Sequence, residues 1–90
     1  MITYKLKVLS PDGEVFDGEV ISLSLRGAEG DLAVFAGHIP FVTSVRPGKC
    51  IITLPSEEEL AGELTSGILD VAKEEVKLLV VSGTVFVRSE

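Results

Sequence analysis

The sequence predicts an all-β domain, an antiparallel sandwich or small barrel built from many short strands. Two observations carry that expectation. Apolar and polar residues alternate in several stretches, most clearly Ile2, Tyr4, Leu6 and Val8 against Thr3, Lys5 and Lys7. A period of two puts alternate side chains on opposite faces of a strand. Turn signals rich in Gly, Pro and Asp then recur about every 8–12 residues, the spacing of short strands in a sandwich or barrel.

The first strand ends at Pro11-Asp12-Gly13, which turns the chain as a hairpin into Glu14-Val15-Phe16. Asp17-Gly18 allows a bend or bulge, after which Ile21, Leu23 and Leu25 alternate with Ser22, Ser24 and Arg26. Gly27-Ala28-Glu29-Gly30-Asp31 reads as an acidic loop punctuated by glycine. Two short apolar runs, 32–35 and 41–45, flank Ala36-Gly37-His38-Ile39-Pro40, which holds the single histidine. Pro47-Gly48 follows as a turn, because Pro pre-sets φ and Gly accepts a positive φ after it. Residues 50–54 read as another strand.

Residues 55–69 leave two local readings open. Ser56 with Glu59 forms a capping-box pattern, and Leu60, Leu64 and Ile68 fall at helical spacing. Gly62 and Gly67 oppose a helix, each costing about 1 kcal/mol. Residues 68–71 read as a strand, 72–75 as a polar turn and 76–81 as a Val- and Leu-rich strand. Ser82-Gly83 then turns the chain, and Val85 and Val87 mark a last short strand.

The chain has 90 residues, 46% apolar and 24% charged, which describes one domain, 1–90. A chain of this length buries about 60–65% of its unfolded surface, a poor host for a deep catalytic cavity. The net charge of −6 argues against nucleic acid and against adhesion to anionic lipid. The basic residues Lys5, Lys7, Arg26, Arg46, Lys49, Lys73, Lys77 and Arg88 form no run in the sequence. Cys50 has no second thiol, so neither an internal disulfide nor a thiolate metal site is expected, and the chain reads as one of a reducing compartment. Neither a secretory leader nor an apolar run of about 20 residues is apparent, and a soluble intracellular protein is expected.

Few groups suggest chemistry. Asp31, His38 and Thr43 or Ser44 contain the residue types of a hydrolytic triad, but nothing in their spacing enforces contact. His38 reads more simply as an exposed loop residue beside Pro40 and a contact residue. The Gly27–Gly30 loop lacks the helix and Lys of a phosphate cradle. Glu57-Glu58-Glu59 and Glu74-Glu75 read as solvated turns, and Cys50 as a small buried hydrophobe. Glu29 and Asp31, set between glycines on a β-scaffold, are placed to receive Arg or Lys from a partner.

Several motifs in order resemble the epsilon subunit of rotary F-type ATP synthase. They are Gly27-x-Glu29-Gly30-Asp31-Leu32, Gly37-His38-x-Pro40-Phe41-Val42-Thr43, Arg46-Pro47-Gly48 and Ser66-Gly67-Ile68-Leu69-Asp70-Val71. The opening residues 4–11 and Phe16-x-Gly18 fit as well, so the likeness runs from about residue 3 to 88. One departure is Ser66-Gly67 where the family usually has Gly-Gly.

The resemblance implies a flattened antiparallel sandwich of about ten short strands, with 60–64 a strand. It implies a non-catalytic rotor subunit at the foot of the central stalk, bound to gamma and resting on the polar loops of the c-ring. That role couples proton translocation to ATP synthesis or hydrolysis at the cytoplasmic face of a bacterial (or plastid) membrane. Carried onto this chain, Glu29, Gly30, Asp31 and His38 face the c-ring, and Ile39, Pro40, Phe41, Val42 and Thr43 lie near gamma. No cofactor, metal, nucleic acid or lipid insertion is implied. Many family members continue into a two-helix domain that inhibits hydrolysis and in some binds ATP; without it, neither inhibition by helix insertion nor nucleotide binding is expected. A free-standing adaptor using the same loops is the alternative, and a small hydrolase using His38 a third reading.

Overall fold

The computed structural model describes residues 2–81 and 86–88, and no helix occurs among them. The strands are β1 (Tyr4–Ser10), β2 (Gly13–Val20), β3 (Ser22–Gly27), β4 (Gly30–Phe35), β5 (Phe41–Val45), β6 (Gly48–Thr53), β7 (Glu59–Leu64), β8 (Gly67–Val71), β9 (Val76–Val80) and β10 (Val87–Arg88). They form one hydrogen-bonded order, β10-β7-β6-β3-β5-β8-β9-β1-β2, with β4 paired to β3 off that path. Among these pairings, β1 with β9 is parallel and the rest are antiparallel.

One join in this order is slender. β3 meets β5 through the single pair Gly27↔Val45, supported by the Arg46 N–H donating to the Arg26 carbonyl at 2.9 Å. On one side of the join lie β10, β7, β6, β3 and β4; on the other lie β5, β8, β9, β1 and β2. Both sets feed one core. Leu23, Leu25, Val34, Cys50, Ile52 and Leu64 enter it from the first set. Leu6, Val8, Val20, Val45, Leu69, Val71, Val76, Leu78 and Val80 enter it from the second. Two sheets sharing a core and joined at a corner make the expected sandwich. The alternation read from the sequence supplies Leu6 and Val8 in β1 and Leu23 and Leu25 in β3; in β9, Val76, Leu78 and Val80 are buried while Lys77 and Leu79 are exposed.

Several local expectations shift. Ile2 precedes β1 and is 76% exposed, so it is no part of the buried face. β2 runs straight through Asp17-Gly18, paired in register with Lys7 and Leu6. The irregularity falls instead between Val8↔Phe16 and Leu9↔Glu14, leaving Val15 as the extra residue. Residues 59–64 are a strand, with Gly62 paired to Cys50 in its middle. Ser56 therefore caps no helix. Its Oγ accepts the Glu58 N–H at 3.4 Å in a tight turn closed by Leu54 N–H to Glu58 O at 2.8 Å. Glu57 takes the positive φ of 74° there. Of the last expected strand, Val87 lies in β10 against β7; the Ser82-Gly83 turn and Val85 lie outside the described residues.

The Ser66-Gly67 departure has a steric explanation. Gly67 pairs with Val80, and a Cβ on Gly67 would sit 2.1 Å from the Leu79 carbonyl oxygen and 3.2 Å from the Val80 Cα. The obstacle is backbone, which cannot rotate away. Ser66 is under no such demand; its carbonyl simply accepts the Val81 N–H at 3.1 Å. Gly67→Ala is therefore expected to cost about 1–3 kcal/mol or more, as overpacking does. Gly18 offers the contrast, since a Cβ there meets the Phe16 ring at an ordinary 3.5 Å. Gly18→Ala is expected to add about 0.4–1 kcal/mol by restricting the unfolded chain. Urea unfolding midpoints of the two variants check both signs.

Candidate functional site

The expected acidic loop is a tight hairpin. β3 and β4 stay paired to Gly27↔Gly30, leaving Ala28-Glu29 as the turn. Gly30 carries φ +128°, a conformation glycine adopts without a steric penalty. Gly30 and Asp31 are thus strand residues, and Glu29 stands exposed at the tip. Asp31 lies directly opposite Arg26, and its Oδ1 is 3.5 Å from Arg26 Nε, with the Asp31 side chain 85% exposed. The carboxylate proposed to await a cation already has one within the chain.

His38 sits beyond the other end of β4. Asp31 and Phe35 are separated by about 13 Å at the rise of an extended strand, and His38 follows after the turn at Ala36-Gly37. Its ring is 5.7 Å from that of Phe41, tilted by 53°. Ile39 is 79% exposed and Val42 67% exposed. Pro40 is exposed, Thr43 is half-buried, and the half-buried Phe41 packs against the core. Thr43 Oγ1 donates to the Ser44 carbonyl at 3.2 Å. Three of the candidate triad residues have other partners: Asp31 pairs with Arg26, His38 rests on Phe41 and the Thr43 hydroxyl donates to backbone. Among the described residues no group of His, Cys, Asp and Glu is arranged to hold a metal ion.

A cavity of about 260 Å³ lies beside the His38 loop, with Tyr4, Phe35, Val71 and Glu74 in its wall. The Tyr4 hydroxyl donates to the Val34 carbonyl at 2.8 Å, and burial pushes its pKa well above the ordinary phenol value. Cys50 is fully buried, and burial pushes its thiol from 9.0 up to about 12. Both groups are inert at neutral pH.

The outer face of β5, β8, β9 and β1 carries a feature the sequence reading did not single out. Strand register sets two rows across it. One row is Val42, Asp70, Lys77, Lys7; the other is Ser44, Ile68, Leu79, Leu9. The polar row is tied by Glu75, which reaches Lys7 at 3.9 Å and Lys77 at 4.0 Å. The neighbouring row leaves Ile68 49% and Leu79 43% exposed. A signal for it was present: 78–81 is apolar at both parities, which is how strands covered on both faces read.

These features describe a β-sandwich with a charged hairpin at one corner and an exposed apolar row on the sheet that carries the His-Ile-Pro loop. Comparison with known proteins makes the class specific. Residues 3–84 match the family described as ATP synthase, Delta/Epsilon chain, beta-sandwich domain. The chain is 38% identical over 77 residues to the ATP synthase epsilon chain of Persephonella marina, covering 86% of this chain and 57% of that one. Its fold is similar to a chain in the cryo-EM structure of the Euglena gracilis mitochondrial ATP synthase OSCP/F1/c-ring assembly, with a TM-score of 0.86 and 21% identity. It is also similar to a chain in the central stalk/c-ring structure of the Tetrahymena thermophila mitochondrial ATP synthase, with a TM-score of 0.73 and 13% identity. The match covers 93% and 88% of this chain and 53% and 63% of those two, respectively. The chain belongs to the ATP synthase delta/epsilon family and corresponds to the β-sandwich domain of an epsilon chain, as the sequence motifs led us to expect. It spans little more than half the length of the epsilon chain it matches.

The buried thiol gives a pH signature. Its folded pKa of about 12 lies above the 9.0 of an exposed thiol, so the folded state retains a proton that the unfolded state loses. Stability is full below about pH 9 and declines as pH rises from there towards about 12. Tyr4 acts in the same direction at somewhat higher pH. Urea titrations carried from neutral pH to well above pH 9 are expected to show this decline beyond that point, with a shallower slope in Cys50→Ala.

Proposed function

We propose that the chain is a non-catalytic central-stalk subunit of an F-type ATP synthase. It docks between gamma and the polar loops of the c-ring and helps couple proton translocation to ATP synthesis and hydrolysis. The complex works at the cytoplasmic face of the membrane. The observation that carries this reading is the exposed apolar face next to the His38 loop, on a domain whose family is that of the ATP synthase delta and epsilon chains. A subunit whose only task is to connect two others needs a stiff body and two distinct surfaces.

The gamma surface is built from Ile39, Pro40 and Val42, with Phe41 and Thr43 supporting them from behind. It extends across the sheet to Ile68 and Leu79. His38 adjoins this surface rather than the hairpin, and takes part at its edge. The c-ring surface is the hairpin end, Glu29, Gly30 and Asp31. Its exposed charges set orientation and association rate more than affinity. In such an assembly the apolar face supplies most of the binding energy, because burial of apolar area outweighs exposed ion pairs.

Variants at the two surfaces separate the contacts. Val42→Asp is expected to weaken co-purification with a gamma-containing F1 core by about tenfold or more, as for a charge placed in an apolar contact. Glu29→Lys, at the exposed tip of the hairpin, is expected to leave that binding intact and to weaken association with the isolated c-ring. Failure of the unaltered chain to bind the F1 core would leave a free-standing adaptor as the better reading.

A further inference from the structure

Three of the cations that look scattered in the sequence, Arg26, Arg46 and Lys49, lie at one corner. β3 pairs with β6 only over Ser22, Ser24 and the residue between them. Past that point β3 reaches towards β5 through Gly27↔Val45, while β6 stays with β7 from Gly48 onward. The strands diverge and open an outward cleft of about 420 Å³. Leu32, Ala33 and Ile51 give it apolar walls, and Arg26, Asp31 and Lys49 give it charge. Arg26 lies over Gly48, where an added Cβ would stand 3.7 Å from its Nε. Arg46 follows β5 at the same corner, its N–H bound to the Arg26 carbonyl.

The charges in the cleft are unevenly committed. Arg26 is held by Asp31 at 3.5 Å. Among the described residues Lys49 takes part in no ion pair. Glu63, directly across from it on β7, has a partner of its own. Two cations and one carboxylate line the cleft, so it is locally positive on a chain of net charge −6. Glu29 stands just outside, at the tip of the same hairpin.

We propose that this cleft is a socket for an acidic side chain on the loop of the docking partner. The carboxylate binds between the Lys49 ammonium and the Arg26 guanidinium, and its methylenes lie against Ile51 and Ala33. The apolar walls favour a side chain with an aliphatic stem over a bare phosphate, and Asp31 at the rim repels a dianion. The hairpin end is then not a purely acidic surface. It takes a partner loop bearing both signs, a base towards Glu29 and an acid into the cleft. This rests on the rotor reading, with the c-ring loop as the partner at this end.

The test is binding of the whole chain to purified c-ring over a range of salt concentrations, with inorganic phosphate as a control ligand. Lys49→Glu is expected to lower affinity for the ring by about tenfold or more and to reverse part of its salt dependence. Lys49→Arg is expected to retain the affinity of the unaltered chain. Urea midpoints establish that each variant is folded. Equal ring binding by Lys49→Glu and the unaltered chain would overturn the socket while leaving the rotor reading in place. Lys49-dependent binding of inorganic phosphate without any effect of Lys49→Glu on the ring would make the cleft an anion site only, and also overturn it. An unaltered chain that does not bind the ring removes the assignment of this end to the c-ring, and the socket with it.

Discussion

A single residue pair, Gly27 with Val45, carries the hydrogen-bonded ladder from one sheet of the sandwich to the other. The chain can turn there because β3 ends in a two-residue hairpin and β5 ends at Val45, just before Pro47-Gly48, while the Arg46 N–H secures the crossing on the Arg26 carbonyl. Leu32 packs a methyl group into the space where a Cβ on Gly27 would lie, 2.5 Å away. From this corner follow the divergence of β3 and β6, the cleft with Arg26 and Lys49, and the display of Glu29 at the tip. The same turn closes the two sheets over a shared core.

Register decides what the body presents. Because side chains alternate along a strand, fixing Val45, Leu69 and Leu78 inward forces Val42, Ile68 and Leu79 outward. Asp70, Lys77, Lys7 and Glu75 keep one row of this outer face wet, and the next row stays apolar. A slip of one residue would put lysines in the core, so the core and the exposed apolar row are specified together. Exposed apolar residues on a small stable domain make sense when another protein covers them.

Much of this was legible in the sequence. Alternation in β1 and β3 marks the inward residues there, and Pro-Asp-Gly and Pro-Gly mark two of the corners. The segment 59–64 was not legible locally. Its leucines fit a helix as well as a strand, and pairing with β6, a tertiary contact, decides it. The bulge was misplaced because Gly18 looked like a breaker, whereas the extra residue is Val15, dictated by how β2 must meet the end of β1. At the candidate site, His38 is exposed, as expected of a loop residue, and Glu29 and Ile39 are exposed as well. The separation of Asp31 from His38 and the pairing of Asp31 with Arg26 depend on strand direction and register, which residue types alone do not encode. Arg26 lies about twenty residues from Arg46 and Lys49 in the chain, and only the corner brings it beside them.

The central claim is that this sandwich connects two surfaces of a rotor, one apolar and one charged. A cryo-EM reconstruction of the ATP synthase purified with this chain bound tests it directly. The account predicts one copy at the foot of the central stalk, with Val42, Ile68 and Leu79 against gamma and the Ala28-Glu29 turn towards the c-ring. A chain absent from the assembled enzyme, or seated with the hairpin turned away from the ring and the apolar face open to solvent, would contradict it.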